Sequence, residues 1–190
     1  MRAFIAIDLP KEVKQSLEGI QKKLRASGAD CKWVDSKNIH LTLKFLGEID
    51  DAQLHKIEQI LDTAAKNQNP YHVRISTAGA YPKAHTPRVI WVGIDEGDQE
   101  TKNLAKILED QIEKIGIPKE DTPFSSHITI GRTRSGMGRE NLIEGLASLA
   151  NDYKEMPQEF LASKITLFKS TLTPGGPVYD ILKEVSLATA

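Results

Sequence analysis

Residues 39–47 read Ile-His-Leu-Thr-Leu-Lys-Phe-Leu-Gly, and residues 125–132 read Ser-Ser-His-Ile-Thr-Ile-Gly-Arg. Each stretch holds a histidine, an aliphatic residue, a threonine and a second aliphatic residue, in that order. The two histidines are 87 positions apart (127 − 40). The same offset carries Ile7 onto Ile94, Asp8 onto Asp95, Thr42 onto Thr129 and Val73 onto Phe160. Each half of the chain reads as strand, helix, His-x-Thr-x strand, helix, strand. One internal duplication accounts for this order, and two copies are too few to stack into a solenoid.

Around this frame the local signals are regular. Arg2–Leu9 reads as a strand ended by Pro10, and Lys11–Ser27 as a helix with Val13, Leu17, Ile20 and Leu24 on one face, stopped by Gly28. Short strands come next at Lys32–Val34 and Ile39–Leu46, then a helix at Asp51–Asn67 and a strand at Tyr71–Thr77. Two prolines place a loop at Gly79–Pro87, before a strand at Arg88–Ile94. The second half gives a helix at Thr101–Ile115, a strand at Ser125–Ile130, a helix at Arg139–Leu149 and one strand at Phe160–Phe168. A Pro-Gly-Gly-Pro turn at 174–177 leads to a last strand, Val178–Leu187. No linker interrupts the chain, so the expectation is one bilobal α+β unit over residues 1–190. Two similar lobes would face each other across a pseudo-twofold axis.

Composition narrows the function. The chain has 190 residues, 39% hydrophobic and 27% charged, with a net charge of −1. That is ordinary globular composition without a broad basic field for long nucleic acid, though a local cluster can still grip one RNA end. The single cysteine, Cys31, can form neither an internal disulfide nor a multi-thiolate zinc site. No segment reaches the ~20 apolar residues of a spanning helix. The expectations are a cytoplasmic protein with no membrane partner. A monomer is expected too, since no heptad seam or long exposed apolar face is visible.

Side chains alternate faces along a strand, so His40 and Thr42 share one side while Leu41 and Leu43 root the strand in its lobe. His127 and Thr129 stand likewise against Ile128 and Ile130. Facing lobes would bring both pairs to one cleft. Two imidazoles across a gap suit acid–base chemistry, one neutral and one protonated, each role giving about 100- to 10,000-fold in rate. Threonine hydroxyls donate to a bound anion without adding charge. Arg132 offers a two-point fork for phosphate, or else serves as a surface ion-pair partner. Alternation alone points it to the Ile130 side, and a bulge at Gly131 would turn it to the cleft. The same parity places Lys44 in the cleft or in solvent, and Phe45 in the core. The substrate this predicts is a phosphodiester cleaved without metal. His55 and His72 read as surface and strand-edge residues, and no spacing joins them or His85 into a metal site. Arg134 and Arg139, with Gly136 and Gly138, form a charged loop that touches RNA backbone or is simply solvated.

The two motifs resemble the paired signature of the 2H phosphoesterases, and most closely that of the RNA 2′,3′-cyclic phosphodiesterases, also called 2′-5′ RNA ligases. The resemblance extends to Arg2–Pro10, His40–Glu48, Pro87–Gly93 and Ser126–Arg132. It implies two antiparallel sheets flanked by helices around a central cleft. It implies hydrolysis of a 2′,3′-cyclic phosphate at an RNA 3′ end, tRNA fragments among the candidates, to a 2′-phosphomonoester. His40 would protonate the leaving ribose oxygen and His127 would activate water. Thr42, Thr129 and Arg132 would hold the phosphate, with no cofactor. Reversal would join ends through a 2′-5′ bond. Two alternatives stand beside this: the same chemistry on a small cyclic nucleotide or a 2′-5′ oligonucleotide, and a noncatalytic RNA-end binding module.

Overall fold

The structure is a computed structural model that describes residues 1–155 and 158–188. Its elements are β1 (Arg2–Asp8), α1 (Lys11–Arg25), β2 (Cys31–Trp33), β3 (His40–Glu48), α2 (Asp51–Lys66), β4 (Tyr71–Lys83), β5 (Thr86–Ile94), α3 (Asp98–Glu113), β6 (His127–Thr133), α4 (Arg139–Glu155), β7 (Gln158–Ala162), β8 (Lys164–Thr173) and β9 (Gly176–Ser186). They form two sheets in which every pairing is antiparallel. The first has the order β3-β1-β8-β9 and the second β2-β6-β5-β4-β7. The fold is α+β with two sheets and four helices, as expected.

Each helix shows the sequence that makes it. In α2, Asp50 accepts from the Gln53 amide while the Gln53 side chain returns to the Asp50 amide, a capping box that closes two free donors. Ile57, Leu61, Ala64 and Ala65 then form its buried stripe. In α1 the stripe is Val13, Leu17, Gln21 and Leu24. Gln21 is buried, and its amide donates to the carbonyls of Val34 and Ile130, so it stitches the segment after β2 to β6. Ile20, expected on the buried face, is only partly covered. Helices α2 and α3 pack against the first sheet and α1 and α4 against the second. One contiguous apolar core joins the two, including Ile5, Ile7 and Leu167 from one sheet and Ile90, Val92 and Ile128 from the other.

The two sheets do not divide along the two halves of the sequence. Strands β2, β4 and helix α1, all from the first half, belong to the second sheet, and β8 and β9 from the second half complete the first. The expected single strand Phe160–Phe168 is therefore two: β7 pairs with β4, and after Ser163 the chain crosses to pair β8 with β1. The expected loop Gly79–Pro87 is also corrected. Both strands continue through it as a hairpin, with Tyr81 opposite Val89 and only residues 84 and 85 outside the ladder. Pro82 and Pro87 face each other where the register shifts, a place that tolerates missing donors. The offset of 87 holds for β3 and β6, but strand register places Ile90 where Ile5 stands, an offset of 85 (90 − 5).

Candidate active site

Strands β3 and β6, one from each sheet, approach each other. Between the sheets lies a cleft of about 560 Å³ whose walls include His40, Thr42, Phe45, Thr129, Arg132 and Tyr179. Leu41 and Leu43 are buried beneath the first motif and Ile128 and Ile130 beneath the second, so the aliphatic pairs root the strands as their alternation predicts. His127 is not among the lining residues of that cleft. It stands on Thr129's side of β6 by unbroken alternation, part-exposed at the strand's start.

Both histidines are held the same way. The Nδ1 of His40 lies 2.6 Å from the Asn38 carbonyl, and the Nδ1 of His127 lies 2.8 Å from the Ser125 carbonyl. A carbonyl only accepts, so each Nδ1 carries the hydrogen and each Nε2 is left to exchange protons. The surroundings then differ. His40 stacks on Phe4 at 4.7 Å and meets the edge of Tyr179 at 5.5 Å. Burial in this aromatic box pulls its pKa below the usual imidazole value. The Asn38 carbonyl and the Asp8 carboxylate oppose that shift, and Lys14 adds to it. Asp8 is the register partner of His40 and is ion-paired to Lys14 at 2.7 Å. His127 instead meets the edge of Tyr81 at 5.3 Å. The Tyr81 hydroxyl lies 2.8 Å from Ser125 Oγ, on the residue whose carbonyl holds the imidazole.

A matched pair of bulges sets where the side chains point beyond each motif. Opposite β3, Ile5 pairs with Lys44 and Ala6 with Thr42, so Leu43 is an extra residue. Opposite β6, Ile90 pairs with Gly131 and Trp91 with Thr129, so Ile130 is extra. Each bulge reverses the alternation after it. Arg132 is thereby turned to the cleft, by the bulge anticipated at Gly131. Lys44 and Phe45 are corrected by its twin. Lys44 does not line the cleft: its side chain is 2% exposed, with Nζ 2.9 Å from the Pro118 carbonyl and 3.3 Å from Glu109. Phe45 is not in the core: it is 56% exposed and lines the cleft.

No local pattern in the sequence marks Tyr179, Phe4 or Asn38 as site residues. Tyr179 comes from β9, and burial raises its phenol pKa against the pull of Arg132 and Arg2. Asn38 supplies the carbonyl for His40 and ties its own amide to Pro177 on β9 at 2.9 Å. The Pro-Gly-Gly-Pro turn is the one sequence hint that this hairpin closes on the site. His55, His72 and His85 are exposed and away from the cleft lining. Arg134 and Arg139 also fall outside that lining, and the Arg134 amide bonds to the Asp30 carbonyl. Among the described residues, no three His, Cys, Asp or Glu side chains gather closely enough to hold a metal ion.

Two antiparallel sheets that present paired His-x-Thr-x strands to one cleft define a phosphoesterase architecture, and comparison gives the family. The LigT like Phosphoesterase profile matches the chain twice, over residues 7–91 and 92–179, and the chain belongs to that family. An RNA 2′,3′-cyclic phosphodiesterase of Methanocaldococcus jannaschii is 33% identical, over 97% of this chain and 99% of its own. One from Aquifex aeolicus is 35% identical, over 98% and 97% respectively. A crystal structure of a Thermus thermophilus protein superposes with a TM-score of 0.82 at 30% identity, covering 98% of both chains. Among the described residues, no helix is long and apolar enough to cross a membrane.

Proposed function

We propose that this protein hydrolyses 2′,3′-cyclic phosphate at RNA 3′ ends to a 2′-phosphomonoester, acting as one bilobal unit. The observation that carries this reading is the matched pair of imidazoles. Each is fixed through Nδ1 to the carbonyl two residues before it, on strands that approach from opposite sheets. His40 protonates the departing 3′ oxygen, and His127 takes a proton from the attacking water. Thr42 and Thr129 donate hydroxyl hydrogen bonds to the phosphate, and Arg132 meets its charge. Phe45, apolar and open to the cleft, offers a stacking surface for the terminal base.

The names of the relatives support the substrate, because the similarity spans nearly the whole of both chains. Water forms the new bond to phosphorus as the bond to the 3′ oxygen breaks, and the side chains contribute only proton transfers and hydrogen bonds, so the reading calls for no metal or cofactor. With a 5′-hydroxyl in place of water as the nucleophile, the same base and acid would break the same bond to the 3′ oxygen and leave a 2′-5′ phosphodiester. The test is an oligonucleotide ending in 2′,3′-cyclic phosphate, incubated in excess EDTA, with the product identified by co-migration with authentic 2′-phosphate and 3′-phosphate standards. Turnover to the 2′-phosphomonoester is expected. Binding without turnover would make the protein an RNA-end module, and loss of activity in EDTA would make it a metal enzyme.

A further inference from the structure

Arg132 is enough for one phosphate, yet the cleft carries more positive charge than that. Four of its lining residues are cations, Arg2, Lys32, Lys37 and Arg132, against one carboxylate, Asp35. Lys37 is paired with Asp35 at 3.4 Å, which cancels both. Arg2, Lys32 and Arg132 make no ion pair or side-chain hydrogen bond with any described residue. Lys32 and Arg132 are moreover direct register partners across the β2–β6 ladder. Cross-strand neighbours lie about 4.5–5.5 Å apart at Cβ, where like charges repel. Such a pair is unfavourable in the free protein and becomes favourable around an anion. Arg2 reaches the same cleft from the other sheet, on β1.

The chemistry of the substrate says which anion. A terminal cyclic phosphate occupies both the 2′ and the 3′ oxygens, so the strand continues only through the 5′ oxygen. Its next charge is one internal phosphodiester, a nucleotide away. We propose that Arg2 and Lys32 form a second phosphate subsite that holds this 5′-side phosphodiester, so the cleft is built for an RNA strand rather than a lone cyclic mononucleotide. This rests on the cyclic phosphodiesterase reading above and adds the substrate's length to it.

The experiment measures kcat/KM on adenosine 2′,3′-cyclic phosphate and on a tetranucleotide with the same end. It uses the wild type, Lys32→Ala, Arg2→Ala and a control, Lys83→Ala, from the exposed β4–β5 hairpin tip. Arg2 and Lys32 are both exposed, so truncation leaves the core untouched. The wild type is expected to prefer the tetranucleotide. That preference should fall at least about tenfold in either cleft variant, as for a lost charged hydrogen bond, and not in the control. The salt dependence on the tetranucleotide should flatten by about 0.7 in log–log slope per contact removed. Unchanged preference in both cleft variants overturns the subsite. Equal losses on both substrates also overturn it, since they would assign the cations to the reacting phosphate. A wild type that turns over neither substrate defeats the hydrolase reading first, and the subsite with it.

Discussion

Gly131→Ala tests whether the bulge after the second motif aims Arg132. A Cβ built on Gly131 would stand 2.9 Å from Trp33 Cε3 and 3.2 Å from Cζ3. The indole is not free to yield, because it packs against the core and carries the Arg25 guanidinium 5.9 Å from its ring centre. Overpacking of this kind costs about 1–3 kcal/mol. At roughly 2–4 °C per kcal/mol for a chain of this size, Tm should fall by about 2–12 °C. The backbone shift falls next to Arg132, and a misplacement near 1 Å can cost up to about 100-fold in rate. The expected loss in kcat/KM is therefore about 10- to 100-fold, read on an oligonucleotide with a cyclic end alongside a thermal melt. Trp33→Leu in the same background removes the ring that the methyl meets, and should return most of both losses. Wild-type melting and turnover in Gly131→Ala, or no recovery in the double variant, would refute the reasoning.

Phe45→Ala should lower kcat/KM on RNA by about 5- to 150-fold, the worth of one stacked base at ~1–3 kcal/mol, with little change in Tm because the ring is exposed. Lys44→Met removes a buried cation bonded to the Pro118 carbonyl and Glu109. It should destabilise by about 1–3 kcal/mol in a urea melt, less than a stranded charge would, because Glu109 and Glu120 keep contact with water. In the proposed mechanism His40 sets the alkaline limb of the pH profile. Its donor role needs the protonated ring, so kcat/KM should fall as pH rises through its pKa, which burial sets below the usual value. Asp8→Asn removes a charge that favours protonation and should move this limb to lower pH, while Lys14→Met should move it higher, both read from kcat/KM against pH.

The paired His-x-Thr-x motifs are legible in the sequence because alternation and repetition are local. His, Thr and their aliphatic roots need only a period of two and a second copy. The residues just past each motif are not legible from alternation, because one bulged residue reverses every side chain after it. The repeat itself holds the missing signal. Arg132 lies 87 residues beyond Phe45, and Gly131 lies 87 beyond Lys44. The bulge expected at Gly131, carried back by that offset, puts Phe45 in the cleft and Lys44 beneath it. The exchange of strands between the two sheets is less accessible. Phe160–Phe168 is continuous in β-propensity, and only pairing to two different sheets divides it at Ser163. Tyr179 reaches the site through the β9 hairpin, which the Asn38 amide ties down through Pro177, 139 positions away, a contact that no local pattern encodes.

The most direct measurement is a crystal structure of the protein with a 2′-phosphorylated oligonucleotide or vanadate in the cleft. The Nε2 atoms of His40 and His127 should both lie within hydrogen-bonding reach, about 2.6–3.2 Å, of oxygens on the same phosphorus or vanadium atom. An anion contacted by one imidazole while the other turns its Nε2 away would contradict the shared site.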